Sequence, residues 1–222
     1  MELITSEEVL HSRATETDTV SNNAEVRETI LKMKEAVREK NLVGLTAPQV
    51  GVDMRIVVLN FDGDVRTFIN PVVSNRKGIE LSREVCEIDG KEYIVPRNND
   101  IDIYYTTPLG KIEHRQLLGM AAKVMLHQLD ILDGISASDF GLEVMEGFDE
   151  ASDEEKDKII KMYLDSLDLL GKQVEEELKN DEDAQQIKNA VNFITKVRKG
   201  EVQISDDREN GKVKKHGDEE NS

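Results

Sequence analysis

The residues best equipped for chemistry in this chain are its single cysteine, Cys86, and a histidine, His127, set in the apolar stretch Val124–Gly134. A thiolate and an imidazole both bind metals and both move protons, so their neighbours decide what they do. With a period of 3.6 residues, Val124, Leu129 and Leu132 mark an apolar helix, and positions 127 and 131 fall one turn apart on one face. A metal-binding helix of the H-E-x-x-H kind carries histidines at two such positions, with a glutamate between them that handles the proton of metal-bound water. Here the glutamate position holds Gln128 and the second histidine position holds Ile131. One histidine on such a helix is more often a satisfied core side chain than a ligand. A lone cysteine has no internal disulfide partner, which leaves a buried small hydrophobe, an intermolecular partner, or a reactive or metal-bound thiolate.

The elements that would position these residues follow from patterning. Residues 1–22 are polar, without a defensible period, and are expected to form an N-terminal arm. From Asn23, Val26, Ile30, Met33 and Val37 trace an amphipathic helix. Val43–Gly51 is a loop in which Pro48 stiffens the turn and the glycines permit close backbone approach. Arg55–Asn60 and Val65–Ile69 flank a turn at Phe61–Asp64 as a hairpin, and further strands are expected at Lys91–Val95 and Asp100–Thr106. Strands interleaved with two helices imply an α+β fold, mixed or antiparallel strands around the His127 helix. Beyond a loop at 139–152, Ser152 and Glu155 form a capping-box pattern, and Ile160, Tyr163, Leu164, Leu167 and Val174 lie on one long apolar stripe. A second helix is expected over 183–199. The divisions are an arm at 1–22, a main domain at 23–148, a helical extension at 149–200 arranged as a hairpin, and a polar tail at 201–222. The stripe packs either on the core and the second helix or on another subunit.

Three segments, taken in order, resemble the signature motifs of peptide deformylase: Gly44-Leu-Thr-Ala-Pro-Gln-Val-Gly51, Glu84-Val-Cys-Glu-Ile88 and the His127 helix. Phe68-Ile-Asn-Pro71 and Val95-Pro-Arg97 resemble linking segments of the same family, and the resemblance spans residues 24–136. It implies a metal held by Cys86, His127 and a third ligand, with Gln49 bonding the bound water or formyl oxygen. The departures fall on the chemistry. The family's first-motif glycine is Leu42, and its Glu-Gly-Cys-Leu-Ser becomes Glu84-Val85-Cys86-Glu87-Ile88. Glu87 places negative charge where it would build in the transition state. Ile131 offers no electron pair, and Gln128 has no pKa with which to accept and return a proton. Asp130 is a possible substitute ligand, and His114 a weaker one, more simply read as a solvated histidine.

The expectation is therefore a catalytically degenerate member, with Gln49, Glu87, Gln128, Cys86 and His127 vestigial. It would hold no cofactor and serve as a structural or assembly protein, a homo-oligomer or part of a larger body such as a phage virion. One alternative is a divergent metal-dependent deformylase using iron, zinc or nickel; another is a non-catalytic peptide binder. The formal net charge of −17 in 222 residues argues against nucleic acid or anionic membrane as partners. Met1–Ile4 lacks the layout of a signal peptide, so a bacterial cytoplasm or a virion is the expected setting.

Overall fold

A computed structural model describes residues 3–17, 23–61 and 63–177, with side chains as far as residue 172. The second C-terminal helix expected over 183–199, the tail and the Val174 side chain lie outside those residues. The elements are α1 (Glu7–Leu10), α2 (Ala24–Glu39), β1 (Gly44–Thr46), a 3₁₀ turn at Pro48–Val50, β2 (Ile56–Phe61), β3 (Asp64–Val85), β4 (Glu92–Thr106), β5 (Ile112–Leu118), α3 (Met120–Leu132), α4 (Ala137–Phe140), β6 (Leu142–Glu143) and α5 (Asp153–Glu177). The fold is α+β. Its antiparallel sheet runs β1-β2-β3-β4-β5, with β6 paired to β4.

Strand alternation divides the core between the two faces of that sheet. Ile56 and Val58 of β2 face Val26, Ile30, Met33 and Val37 of α2, while Val57 and Leu59 face Met125, Leu126, Leu129 and Leu132 of α3. Helix α2 begins where the Asn23 side chain accepts hydrogen bonds from the backbone N–H groups of Glu25 and Val26. At the other end of the chain the Ser152–Glu155 capping box forms, with both reciprocal bonds in place.

The long strand β3 bends at Asn70–Pro71, where its register with β4 shifts. A bulge is where a strand tolerates a residue without an N–H, and asparagine is among the few side chains at ease at the positive φ of 49° found at Asn70. Three expectations change here. Residues 70–85 carried no strand assignment yet are most of β3, because pairing with β4 overrides their polar composition. The strands expected at 91–95 and 100–106 are one, β4. The 139–152 loop contains the end of α4 and the short β6.

The N-terminal arm, over residues 3–17, is packed on the domain. Leu10 and Ala14 are buried. Ile4 N donates to Gln49 O, Ala14 N to Leu132 O and Arg55 N to Thr15 O. The side chain of Asn70 accepts from Thr17 N and donates to Thr17 O. Gly134 sits under this strap with a φ of +73°, and a Cβ there would lie 2.6 Å from His11 O, so only glycine fits.

Candidate functional site

Period-two alternation puts Glu80 and Glu84 on the same face of β3, and strand register sets Arg97 of β4 opposite Glu80. Helix α3 covers this face and presents Lys123, His127 and Asp130, residues spaced as i, i+4 and i+7 on one side of a helix. The two rows meet as ion pairs. Lys123 Nζ lies 2.6 Å from Glu80 Oε2, His127 Nδ1 donates to Glu84 Oε2 at 2.8 Å, and Arg97 Nη1 donates to Asp130 Oδ2. Arg97 also grips Glu84 through both carboxylate oxygens, from Nε and Nη2, each at 2.8 Å. Planar bidentate pairing of this kind suits arginine.

Just past the end of β3 the chain turns, and Cys86 and Glu87 diverge. Glu87 Oε1 lies 2.7 Å from His127 Nε2. Cys86 is fully buried in a small cluster with Tyr93, Val95 and Ala137, its Sγ 3.0 Å from Ser136 Oγ. The two residues with most chemical promise thus take different partners, and no hydrogen bond joins them.

His127 sits between two carboxylates. An ionised carboxylate only accepts, so both ring nitrogens donate and the ring is an imidazolium. Burial works against that charge, but the hydrogen bonds to Glu84 and Glu87 and the attraction of both carboxylates outweigh it, and the His127 pKa is pushed up to about 10. For Glu84, burial favours protonation, yet the hydrogen bonds from Arg97 and His127 pull its pKa down to about 2. Asp130 is raised, chiefly by burial, against the opposing pull of Arg97.

The remaining predicted site residues face inward. Gln49 is buried, and its Oε1 accepts from Thr46 N at 2.8 Å and Thr46 Oγ1 at 3.0 Å. Gln128 lies against Gly44, where a Cβ would come within 3.0 Å of Gln128 Cδ. Its Oε1 is buried and has no hydrogen-bond partner among the described residues. His114, on β5, is half-exposed beside Asp102, the solvated histidine expected.

These residues do not fit a catalytic metal. Such a metal needs about three protein ligands converging on an open position. His127 has no free lone pair, the Cys86 thiol faces Ser136, Asp130 is held by Arg97, and Ile131 is buried hydrocarbon. No group of three His, Cys, Asp or Glu side chains placed to hold a metal ion occurs among the described residues. The substitute-ligand role considered for Asp130 is accordingly not supported by its position.

A family model for polypeptide deformylase matches residues 3–140. The chain belongs to the peptide deformylase family. A deformylase of Dictyoglomus thermophilum is 34% identical over 119 residues, covering 53% of this chain and 78% of that one. Among solved structures, a Synechococcus elongatus peptide deformylase in complex with actinonin is 26% identical with a TM-score of 0.54, covering 59% of this chain and 71% of its own. A deformylase from the Vibrio parahaemolyticus bacteriophage VP16T, also bound to actinonin, is 26% identical with a TM-score of 0.54, covering 61% and 98%. The deformylase match ends at residue 140, so α5 lies wholly beyond it.

Sequence reasoning missed Glu80 and Lys123 as members of the site and did not join Glu84 to Arg97. A signal was present: Lys123, His127 and Asp130 are charged or ionisable residues at one-turn spacings on a largely apolar helix. The proposed docking stripe on α5 is partly spent inside the molecule. Tyr163 is buried and its hydroxyl donates to Phe140 O at 2.9 Å, while the Phe140 ring lies 5.5 Å from the Arg97 guanidinium carbon, a cation–π contact. Ile160, Leu164 and Leu167 are half-buried. Among the described residues, the large apolar side chains that α5 leaves most open are Met162, Leu169 and Leu170.

Proposed function

We propose that this chain is a deformylase-family protein that no longer removes formyl groups and instead supplies its folded surface to a larger protein assembly. The observation that carries the first half is His127, hydrogen-bonded at both ring nitrogens to Glu84 and Glu87. A metal ligand must present a lone pair, and this ring has none to present. The second deficit is the proton carrier. Gln128 occupies the glutamate position of the family motif, and loss of a general acid/base costs a factor of about 10² to 10⁴ by itself.

The assembly role is supported by what persists without chemistry. The sheet, both packed helices and the ionic rows are intact, and α5 adds an apolar-lined helix outside the enzyme-like portion. Protein partners, with a second copy of this chain first among them, fit an acidic molecule with a partly open helical extension.

The test of the first half is formate release from a formyl-Met peptide by anaerobically purified protein supplied with Fe²⁺, Ni²⁺ or Zn²⁺. No turnover above a Cys86→Ala control is expected; metal-dependent turnover abolished in that control would sink the proposal. Light scattering of the purified full chain tests the second half, a strictly monomeric mass with no partner retained counting against it. Peptide affinity without turnover would favour the peptide-binder alternative.

A further inference from the structure

We infer that Glu87 is an internal occupant of the position where a deformylase holds its metal, and that it keeps divalent cations out even when a third ligand is restored. The inference rests on the metal-free reading above. A metal-ligating histidine ordinarily donates its non-ligating N–H to a carboxylate or carbonyl, which fixes the ring and aims the other nitrogen at the ion. His127 keeps that arrangement: Nδ1 donates to Glu84 at 2.8 Å, and Glu84 is itself anchored on Arg97. The second nitrogen, Nε2, is the one left to face a metal. Where the ion would stand, it meets Glu87 Oε1 at 2.7 Å.

Glu87 is well placed for this. It follows Cys86 directly, so the turn that would deliver a thiolate delivers a carboxylate instead. The carboxylate is attached to the same chain and so has a high effective concentration at the ring. A divalent ion has to break the His127–Glu87 contact at 2.7 Å before it gains one bond there. Glu87 does not serve as a replacement ligand in this arrangement, because the Cys86 thiol faces Ser136 and no third donor among the described residues joins it. The missing histidine at position 131 and the occupying glutamate are thus two separate obstacles.

The experiment compares the wild-type chain, Glu87→Leu, Ile131→His, Glu87→Leu/Ile131→His and Glu87→Gln/Ile131→His. Co²⁺ is the probe, followed by equilibrium dialysis with metal analysis and by the thiolate-to-cobalt absorption band. Wild type and Ile131→His are expected to bind no stoichiometric Co²⁺. The Leu double variant is expected to bind it roughly 10- to 100-fold more tightly than Ile131→His, with a thiolate band that Cys86→Ser removes. The Gln double variant, which keeps the side-chain shape, supplies the same comparison should the Leu variant melt non-cooperatively. Equal Co²⁺ affinity with and without Glu87 overturns the inference, as does a cooperatively folded double variant that binds no metal. Stoichiometric metal in the wild type, lost in Glu87→Leu, would make Glu87 a ligand and sink both the inference and the metal-free reading. Metal in Ile131→His alone sinks only the inference.

Discussion

Helices α2 and α3 lie on opposite faces of one sheet, and the two interfaces are built from different materials. Beneath α2 the contact is chiefly hydrocarbon: Val26, Ile30, Met33 and Val37 against Leu45, Ile56, Val58 and Ile69. Beneath α3 an apolar cluster of similar kind gives way to the paired rows of Glu80, Glu84 and Arg97 with Lys123, His127 and Asp130. A hydrocarbon interface is specified by volume and forgives changes that preserve it. A buried ionic interface is specified by pairing: each charge is tolerable only while its partner remains. Groups that a metal centre would recruit for chemistry are here each other's counterions, so their pairing itself holds this interface together.

The comparison is sharpest where one partner is removed. Arg97→Ala leaves Glu84 and Asp130 without their main cation and is expected to cost about 3–5 kcal/mol in urea unfolding. On the hydrocarbon side, Met33→Ala is expected to cost about 3 kcal/mol by cavity formation, with no dependence on pH. The ionic side should depend on pH in both directions. His127 titrates near 6.5 unfolded and about 10 folded, so its contribution is fully present below pH 6.5 and is lost as pH rises through 10. Glu84, about 2 folded against 4.5 unfolded, contributes above pH 4.5 and loses that contribution as pH falls towards 2. Melting temperature should therefore decline from neutral to alkaline pH in the wild type and flatten on that side in His127→Gln; an unchanged profile would refute the imidazolium assignment. Tyr163→Phe, which cuts the bond to Phe140 O, is expected to lose about 1 kcal/mol. Smallest of all, Gln128→Leu removes an unpaired buried carbonyl and should be neutral or stabilising by up to about 1 kcal/mol, an outcome opposite to that for a working catalytic side chain.

Local signals in the sequence were reliable. The onset of a helix after Asn23, the hairpin of 55–69 and the Ser152–Glu155 box depend on neighbours a few residues away, and all three form. The ordered motifs led to the family and its fold, because spacing between motifs reflects element lengths. What stayed hidden was pairing between distant residues. Glu87 read as a charge hostile to an oxyanion, whereas its carboxylate meets His127, 40 positions along the chain. Polar composition also concealed β3, whose polar stretch from 74 to 85 is held as strand by partners on β4, and the docking of the arm, in which Leu10, Ala14 and Thr17 are buried.

The strap formed by residues 3–17 has a consequence for how the chain is made. Its anchors include Leu132 at the end of α3 and Asn70 at the bend of β3, so this segment is made well before the parts of the domain on which it docks. Synthesis runs at about 5–20 residues per second, which leaves Leu10 and Ala14 exposed for many seconds while α3 is still unmade. The polar composition of residues 3–17 suits that wait: few apolar side chains stand open before Leu10 and Ala14 find their places against the far end of the domain.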